Sequence, residues 1–225
     1  MIRINNLSKK YGTNTVLNNI SIHLEKGKVY GIVGENGAGK TTFFNCLSGI
    51  EQYQGKIDSI KNLKDTIGFL QTESYFFPKI TGKEYLQLLI NAREVKVKHI
   101  EERNIFDLPL DKYAVNYSTG MKKKLALTGI LLQQNEVFIL DEPFNGVDIQ
   151  SNIVITEIIH KLKSLNKLII ISSHIFSTLA ETCDEIHVLE NGNFSEKVMK
   201  EDFKKLEDEM KKRTVGNKID RLDLV

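Results

Sequence analysis

Val29-Tyr30-Gly31-Ile32-Val33-Gly34-Glu35-Asn36-Gly37-Ala38-Gly39-Lys40-Thr41 is a short apolar run that ends in a glycine-rich octapeptide. The octapeptide matches G-x-x-x-x-G-K-[ST], and average residue frequencies give a chain of this length roughly one chance in a hundred of such a match. Glycines let the backbone turn until successive N–H groups point inward, which makes an anion-binding concavity. A helix that follows presents its positive end to the same anion. Lys40 adds a point charge that reaches the outer phosphates of a nucleotide. The Thr41 hydroxyl is an oxygen ligand of the kind Mg2+ prefers. The alternative is a glycine-rich turn with a surface lysine, but here a predicted strand precedes the turn and a predicted helix follows it.

Three further apolar runs end in the same way. Thr66-Ile67-Gly68-Phe69-Leu70 meets Gln71, Val137-Phe138-Ile139-Leu140 meets Asp141-Glu142, and Leu168-Ile169-Ile170-Ile171 meets Ser172-Ser173-His174. Continuous apolar runs of this length read as strands buried on both faces. Helical patterns lie between them, at Thr41 to Ser48 and Ile153 to Leu165. The alternation predicts an α/β fold with a largely parallel sheet. Ligands of such sheets sit outside the carboxyl ends of the strands, and Gly34, Gln71, Asp141, Glu142 and His174 all fall on that edge. Residues 72–134 read as a helical insertion, with helices over Glu84 to Arg93 and Met121 to Leu132. The core is then 1–71 and 135–199. The polar tail, 200–225, carries a thin stripe of Phe203, Leu206 and Met210, which fits a helix docked on the core or one that binds a partner.

Asp141 and Glu142 form a carboxylate pair at a strand end. Phosphoryl transfer needs charge neutralisation and an oriented nucleophile more than covalent help. A first carboxylate there can hold Mg2+, and the second can polarise the attacking water. The alternative is an acidic turn before Pro143.

Composition sets limits on the rest. The 225 residues are 41% hydrophobic and 27% charged, and the net charge is +2. That balance lacks the basic excess of a nucleic-acid binder, so none is expected as a partner. Cys46 and Cys183 stand far apart and outside metal-ligand spacing, as two buried apolar residues would. The N-terminal residues have no apolar core of a signal peptide, and no apolar run nears the roughly 18 residues that span a bilayer.

In order, these motifs resemble the nucleotide-binding domain of ATP-binding cassette (ABC) transporters, over about residues 2–195. The resemblance implies a P-loop NTPase (RecA-like) core, an inserted α-helical subdomain and an N-terminal antiparallel β portion. It implies ATP and Mg2+ as ligands. Gly34, Asn36, Gly37, Ala38, Gly39, Lys40, Thr41 and Thr42 would hold the phosphates, and Tyr11 would stack on adenine. Thr41, Gln71 and Asp141 would serve the metal, while Glu142, His174, Gln71 and Lys40 would serve hydrolysis. Asn145-Gly146-Val147-Asp148 matches the family's interface loop, with Asp148 also suited to cap the next helix.

The family signature departs from its commonest form and reads Tyr117-Ser118-Thr119-Gly120-Met121. Ser118 still suits a helix cap, and its hydroxyl and the Gly120 N–H can meet an anion at the helix's positive end. In the family this segment closes over ATP held by a second cassette, so the resemblance implies an ATP-dependent dimer, with two identical copies as the expectation. Ser-x-Gly-Met forms are similar to those of ABC-2-type exporters, which implies export. The implied partner is a transmembrane permease on a separate chain. The implied location is peripheral, at the cytoplasmic face of a bacterial membrane. Tyr75-Phe76-Phe77 follows Gln71, and Tyr75 or Phe76 is expected to line a groove for that partner; the other reading is that Phe76 and Phe77 are core. A soluble ABC-type ATPase acting on ribosomes or DNA is the alternative function, although this chain has one cassette and no long heptad run. Asn217-Lys218-Ile219-Asp220 matches a guanine-reading motif, but no apolar strand precedes it.

Overall fold

The computed structural model describes residues 1–59 and 62–216, with the backbone alone at 213–215. Asn217-Lys218-Ile219-Asp220 lies outside the described residues. Five parallel strands form the centre of the molecule: β3 (Val29–Val33), β5 (Ile67–Leu70), β6 (Val137–Asp141), β7 (Leu168–Ser172) and β8 (Glu185–Glu190). The strand β9 (Asn193–Met199) adds to β8 antiparallel, and the order is β5-β6-β7-β3-β8-β9. Three antiparallel strands, β1 (Ile2–Tyr11), β2 (Asn14–Leu24) and β4 (Gln54–Ser59), make a second sheet in the order β2-β1-β4.

All residues of β3, β6 and β7 are buried. Side chains alternate along a strand, so each strand serves two cores. Tyr30, Ile32, Val137, Ile139, Leu168 and Ile170 point to one side, where they meet the antiparallel sheet and α1 (Lys40–Ser48). Val29, Val33, Phe138, Leu140, Ile169 and Ile171 point to the other. There they meet α2 (Gly82–Ala92), α3 (Thr119–Leu132), α4 (Ile149–Ser164), α5 (Phe176–Thr182) and α6 (Phe203–Val215). A run with both faces covered has no polar alternation, which is why these strands read as unbroken apolar segments.

Helix α2 opens on a capping box, in which Glu84 N–H donates to the Thr81 hydroxyl and the Glu84 carboxylate accepts from Thr81 N–H. In α6, Phe203 and Leu206 are buried against the core and Met210 packs beside them, so the tail's stripe is a docking face. Cys46 and Cys183 are both buried free thiols, and burial pushes Cys46 up to about 11 and Cys183 up to about 12. No helix among the described residues is long and apolar enough to cross a membrane.

Glu136 joins the start of β6 to two neighbouring segments by accepting from Lys167 at 2.7 Å and Lys26 at 2.5 Å. These two bonds, Lys167 first, lower its pKa from 4.5 to about 2. A carboxylate with a lowered folded pKa stabilises the fold fully above its unfolded value and loses that contribution as pH falls. Glu136→Gln is therefore expected to lower stability near neutral pH by under about 1 kcal/mol, because the ion pairs are partly exposed. Urea melts should show the difference from wild type shrinking between pH 4.5 and about 2.

Candidate functional site

The carboxyl ends of β3, β6 and β7 open into a cleft of about 270 Å³. Asn36, Gly37, Gly39, Lys40, Thr41, Thr42, Thr72, Asp141, Glu142 and His174 are among its walls, with Val16 of β2. Gly39 makes the turn from loop to helix with φ of 107°, a conformation that side chains with a Cβ avoid. No side chain caps α1, so its first N–H groups are offered to the cleft. Lys40 is 8% exposed and folds back over the loop, donating to the carbonyls of Gly34 at 2.7 Å and Glu35 at 3.1 Å. Burial pushes its pKa down, and the Glu142 and Asp141 carboxylates oppose the shift. Buried cations seek a counter-charge, and a phosphate at the loop would supply one.

Asp141 is 1% exposed and accepts from three hydroxyls. Thr41 donates to Oδ2 at 2.9 Å, Thr72 to the same oxygen at 2.8 Å, and Ser172 to Oδ1 at 2.5 Å. A hydroxyl and a carboxylate in contact beside a phosphate loop are hard oxygen donors, and they fit Mg2+. No cluster of three or more acidic, histidine or cysteine side chains among the described residues forms a metal site of its own. A metal here would therefore share its shell with phosphate and water.

Glu142 follows Asp141 and takes a left-handed backbone, with φ of 54°. Its N–H donates to the Ser172 carbonyl at 3.2 Å and to the Ser172 hydroxyl at 3.0 Å. Its Oε2 accepts from His174 N–H at 3.2 Å. Its Oε1 lies 3.3 Å from His174 Nε2 but out of hydrogen-bond alignment, and it is a buried oxygen with no hydrogen bond. Buried polar atoms without a hydrogen bond are rare, and a carboxylate with a free acceptor that borders a cleft suits a base that engages water.

Six expected members, Tyr11, Gly34, Ala38, Gln71, Ser118 and Gly120, stand outside this cleft. Tyr11 ends β1, is 45% exposed and carries the Lys9 ammonium 4.7 Å from its ring centroid. Gln71 is half-buried beyond β5 and does not line the cleft; its neighbour Thr72 does. Ser118 and Gly120 are also absent from the cleft walls. Ser118 caps α3 by accepting from Met121 N–H at 3.3 Å and is exposed. Gly34 and Ala38 line a larger cavity of about 650 Å³, which meets the cleft at Val16, Asn36 and Gly37 and reaches Leu206 and Met210 of α6. Asp148 caps α4 by accepting from Ser151 N–H at 2.8 Å, and that bond holds its carboxyl below the usual range. Of the three aromatics, Phe76 is core, 4.7 Å from Tyr85 between ring centroids, and so does not line a groove. Tyr75 and Phe77 are 70% and 53% exposed and pack edge to face at 5.4 Å.

Sequence reasoning overlooked Thr72, Ser172 and Val16. Ser172 and Thr72 each sit within two residues of an apolar run's end, which is the signal that would have found them.

A family profile described as "ABC transporter" matches residues 17–145, more than half of the chain. The bacitracin transport ATP-binding protein BcrA of Enterococcus faecalis is 34% identical, with 88% of this chain and 69% of that protein covered. The lantibiotic transport ATP-binding protein SrtF of Streptococcus pyogenes is 32% identical, with 85% of this chain and 88% of that protein covered. Among solved structures, an ATP-binding subunit of an ABC transporter superposes with a TM-score of 0.81 at 23% identity, over 92% of this chain and 93% of that one. The cassette MJ0796, in a dimeric post-hydrolysis state with ADP and Pi, gives 0.79 at 18% identity, over 88% and 98%. These two likenesses establish the fold.

Ser172→Ala removes the hydroxyl that joins Asp141 to the Glu142 backbone. Denaturant unfolding is expected to show a loss of about 1–3 kcal/mol, the range for leaving a buried charged acceptor short of a donor.

Proposed function

The chain belongs to the ABC transporter family as an ATP-binding subunit of the exporter type, and we propose how its own residues bind and hydrolyse ATP. The observation that carries this reading is the contact of Thr41 with Asp141 across the cleft, beside the buried Oε1 of Glu142. It joins the phosphate loop to the carboxylate pair.

ATP lays its phosphates along the amides of Gly37 to Thr42. Lys40 leaves the Gly34 and Glu35 carbonyls and pairs with the β- and γ-phosphates. Adenosine extends past Val16 toward the larger cavity, and Tyr11 closes on adenine from the end of β1. Thr41 and Asp141 would hold Mg2+, with Gln71 as a further oxygen donor beside them. Bound there, the metal would neutralise charge on the leaving phosphates. Thr72, which now donates to Asp141, would yield that oxygen to the metal. Glu142 takes the proton of the attacking water through Oε1, and His174 holds the γ-phosphate and the Glu142 carboxylate in line.

A second cassette completes the site. Ser118 and Gly120 are not among the walls of the chain's own cleft; Ser118 is exposed and Gly120 half-buried at the start of α3, where they would suit an anion held by a partner copy. Two identical chains closing on two ATPs, each with residues 72–134 moving as a helical unit against the core, would pull on a permease carried by separate chains. Tyr75 and Phe77 supply the exposed apolar contact for that permease. This positions the chain at the cytoplasmic face of a membrane with no nucleic-acid partner. The bacitracin and lantibiotic relatives support peptide antibiotics as the cargo class.

Glu142→Gln is expected to bind MgATP with near wild-type affinity, to turn over about 100-fold more slowly or less, and to shift from monomer to dimer only with MgATP. Light scattering with and without nucleotide, beside a phosphate-release assay, checks this. Near-normal turnover would remove the role given to Glu142, and a persistent monomer with bound ATP would remove unaided closure. Replacing Tyr75 and Phe77 together by Ala should leave basal ATPase unchanged and abolish its stimulation by the co-purified permease.

A further inference from the structure

Lys123 is the buried cation that the scheme above leaves without a role. It lies in α3, five residues after Ser118, and is 5% exposed. Lysine is rarely buried to this degree unless it has a task or a partner. Among the described residues its ammonium has one hydrogen bond, donated at 2.5 Å to the main-chain carbonyl of Glu142. Burial pushes its pKa down, while the Glu142 and Asp141 carboxylates oppose the shift.

The Glu142 backbone is an unusual thing to hold. Its φ of 54° is in the left-handed region, which a residue with a Cβ keeps only when its surroundings impose it. The surroundings here are specific. Ser172 takes the N–H of Glu142 on one side, and Lys123 with the Asn145 N–H, at 3.3 Å, takes its carbonyl on the other. With both peptide groups pinned, the Cα–Cβ bond is fixed in direction, and from it the carboxylate reaches the His174 N–H at the cleft.

Helix α3 touches the same segment at two further points. A Cβ at Gly120 would come within 2.6 Å of the Gly146 carbonyl, so only glycine permits that approach. Lys124 donates to Asp148 at 3.2 Å and to the Ser151 hydroxyl at 3.1 Å. Gly120, Lys123 and Lys124 lie three and four residues apart, on one face of the helix. Of the three, only Lys123 is bonded to a cleft residue. It also borders a cavity of about 250 Å³ between α3 and the segment after β5, lined by Thr72, Glu73, Ser74, Thr119 and Lys122.

We propose that Lys123 is a positioning residue for Glu142, which it holds by the carbonyl so that the helix bearing Ser118 sets the aim of the hydrolytic carboxylate. A displacement of α3 on closure then reaches Glu142 through one hydrogen bond. This rests on the role given to Glu142 above.

Lys123→Met keeps the length of the side chain and removes its donors. It is expected to lower kcat about tenfold, with KM and MgATP affinity within about twofold of wild type. Lys123→Arg, which retains a charged donor, should restore kcat to within about threefold of wild type. In the Glu142→Gln background, single-turnover hydrolysis should show no further loss from Lys123→Met, since the two changes remove one function. A kcat within twofold of wild type in Lys123→Met overturns the proposal, as does an equal loss in both backgrounds. If Lys123→Met does not unfold cooperatively, Lys123→Gln takes its place in the same cycle. Near-normal turnover in Glu142→Gln alone is a separate result, because it strikes the assignment of Glu142 whatever Lys123→Met does.

Discussion

The parallel pairing of β6 with β7 and of β7 with β3 is the constraint on which the site depends. It sets Asp141 opposite Ser172 and Ile32 opposite Ser172 on the other side. A one-residue slip in that register would turn every apolar side chain of a strand to the opposite core. The two cores on either face resist such a slip, and they therefore also fix where the strand ends fall. The phosphate loop, the carboxylate pair and Ser172 meet because their strands cannot move along one another.

What the strand ends carry is expensive to fold. Lys40, Lys123, Asp141 and Glu142 are all buried, and a buried ion is tolerated only where partners satisfy it. Asp141 has its hydroxyls, Lys123 has a carbonyl, and Lys40 borrows the carbonyls of its own loop. The Glu142 carboxylate is the exception, with one oxygen lacking a hydrogen bond and a backbone in a sparsely populated conformation. Among the described residues Glu142 is where a left-handed backbone and an unmet buried acceptor coincide, which is where a hydrolytic base would use them.

Helix α3 joins the parts of the chain that have to work together. Its start holds the exposed Ser118, its first turns rest on the segment from Glu142 to Ser151, and its remaining length packs against α2 and the sheet. A helix buried on nearly all sides is held as one rigid body by its neighbours.

The sequence by itself determined the phosphate loop, the carboxylate pair, the four buried strands that end on one edge, and the helices α1 to α4. Each is written in consecutive residues, in a spacing or a run of apolar side chains, and needs no knowledge of distant chain. The antiparallel strands β1, β2, β4 and β9 were not legible residue by residue, because bulges and mixed exposure interrupt their alternation, and β8 was hidden because the buried Glu185 and His187, bonded to each other, break its apolar run. Tertiary structure alone decided that Thr72 and Ser172 serve Asp141, that Lys123 reaches Glu142, and that Tyr11 and Gln71 lie outside the cleft. It also decided that Phe76 is core while Tyr75 and Phe77 face solvent. The physical reason is sequence separation and burial. Thr41 and Asp141 are 100 residues apart, and whether such groups touch, or which of three adjacent rings is covered, depends on packing that no local pattern encodes.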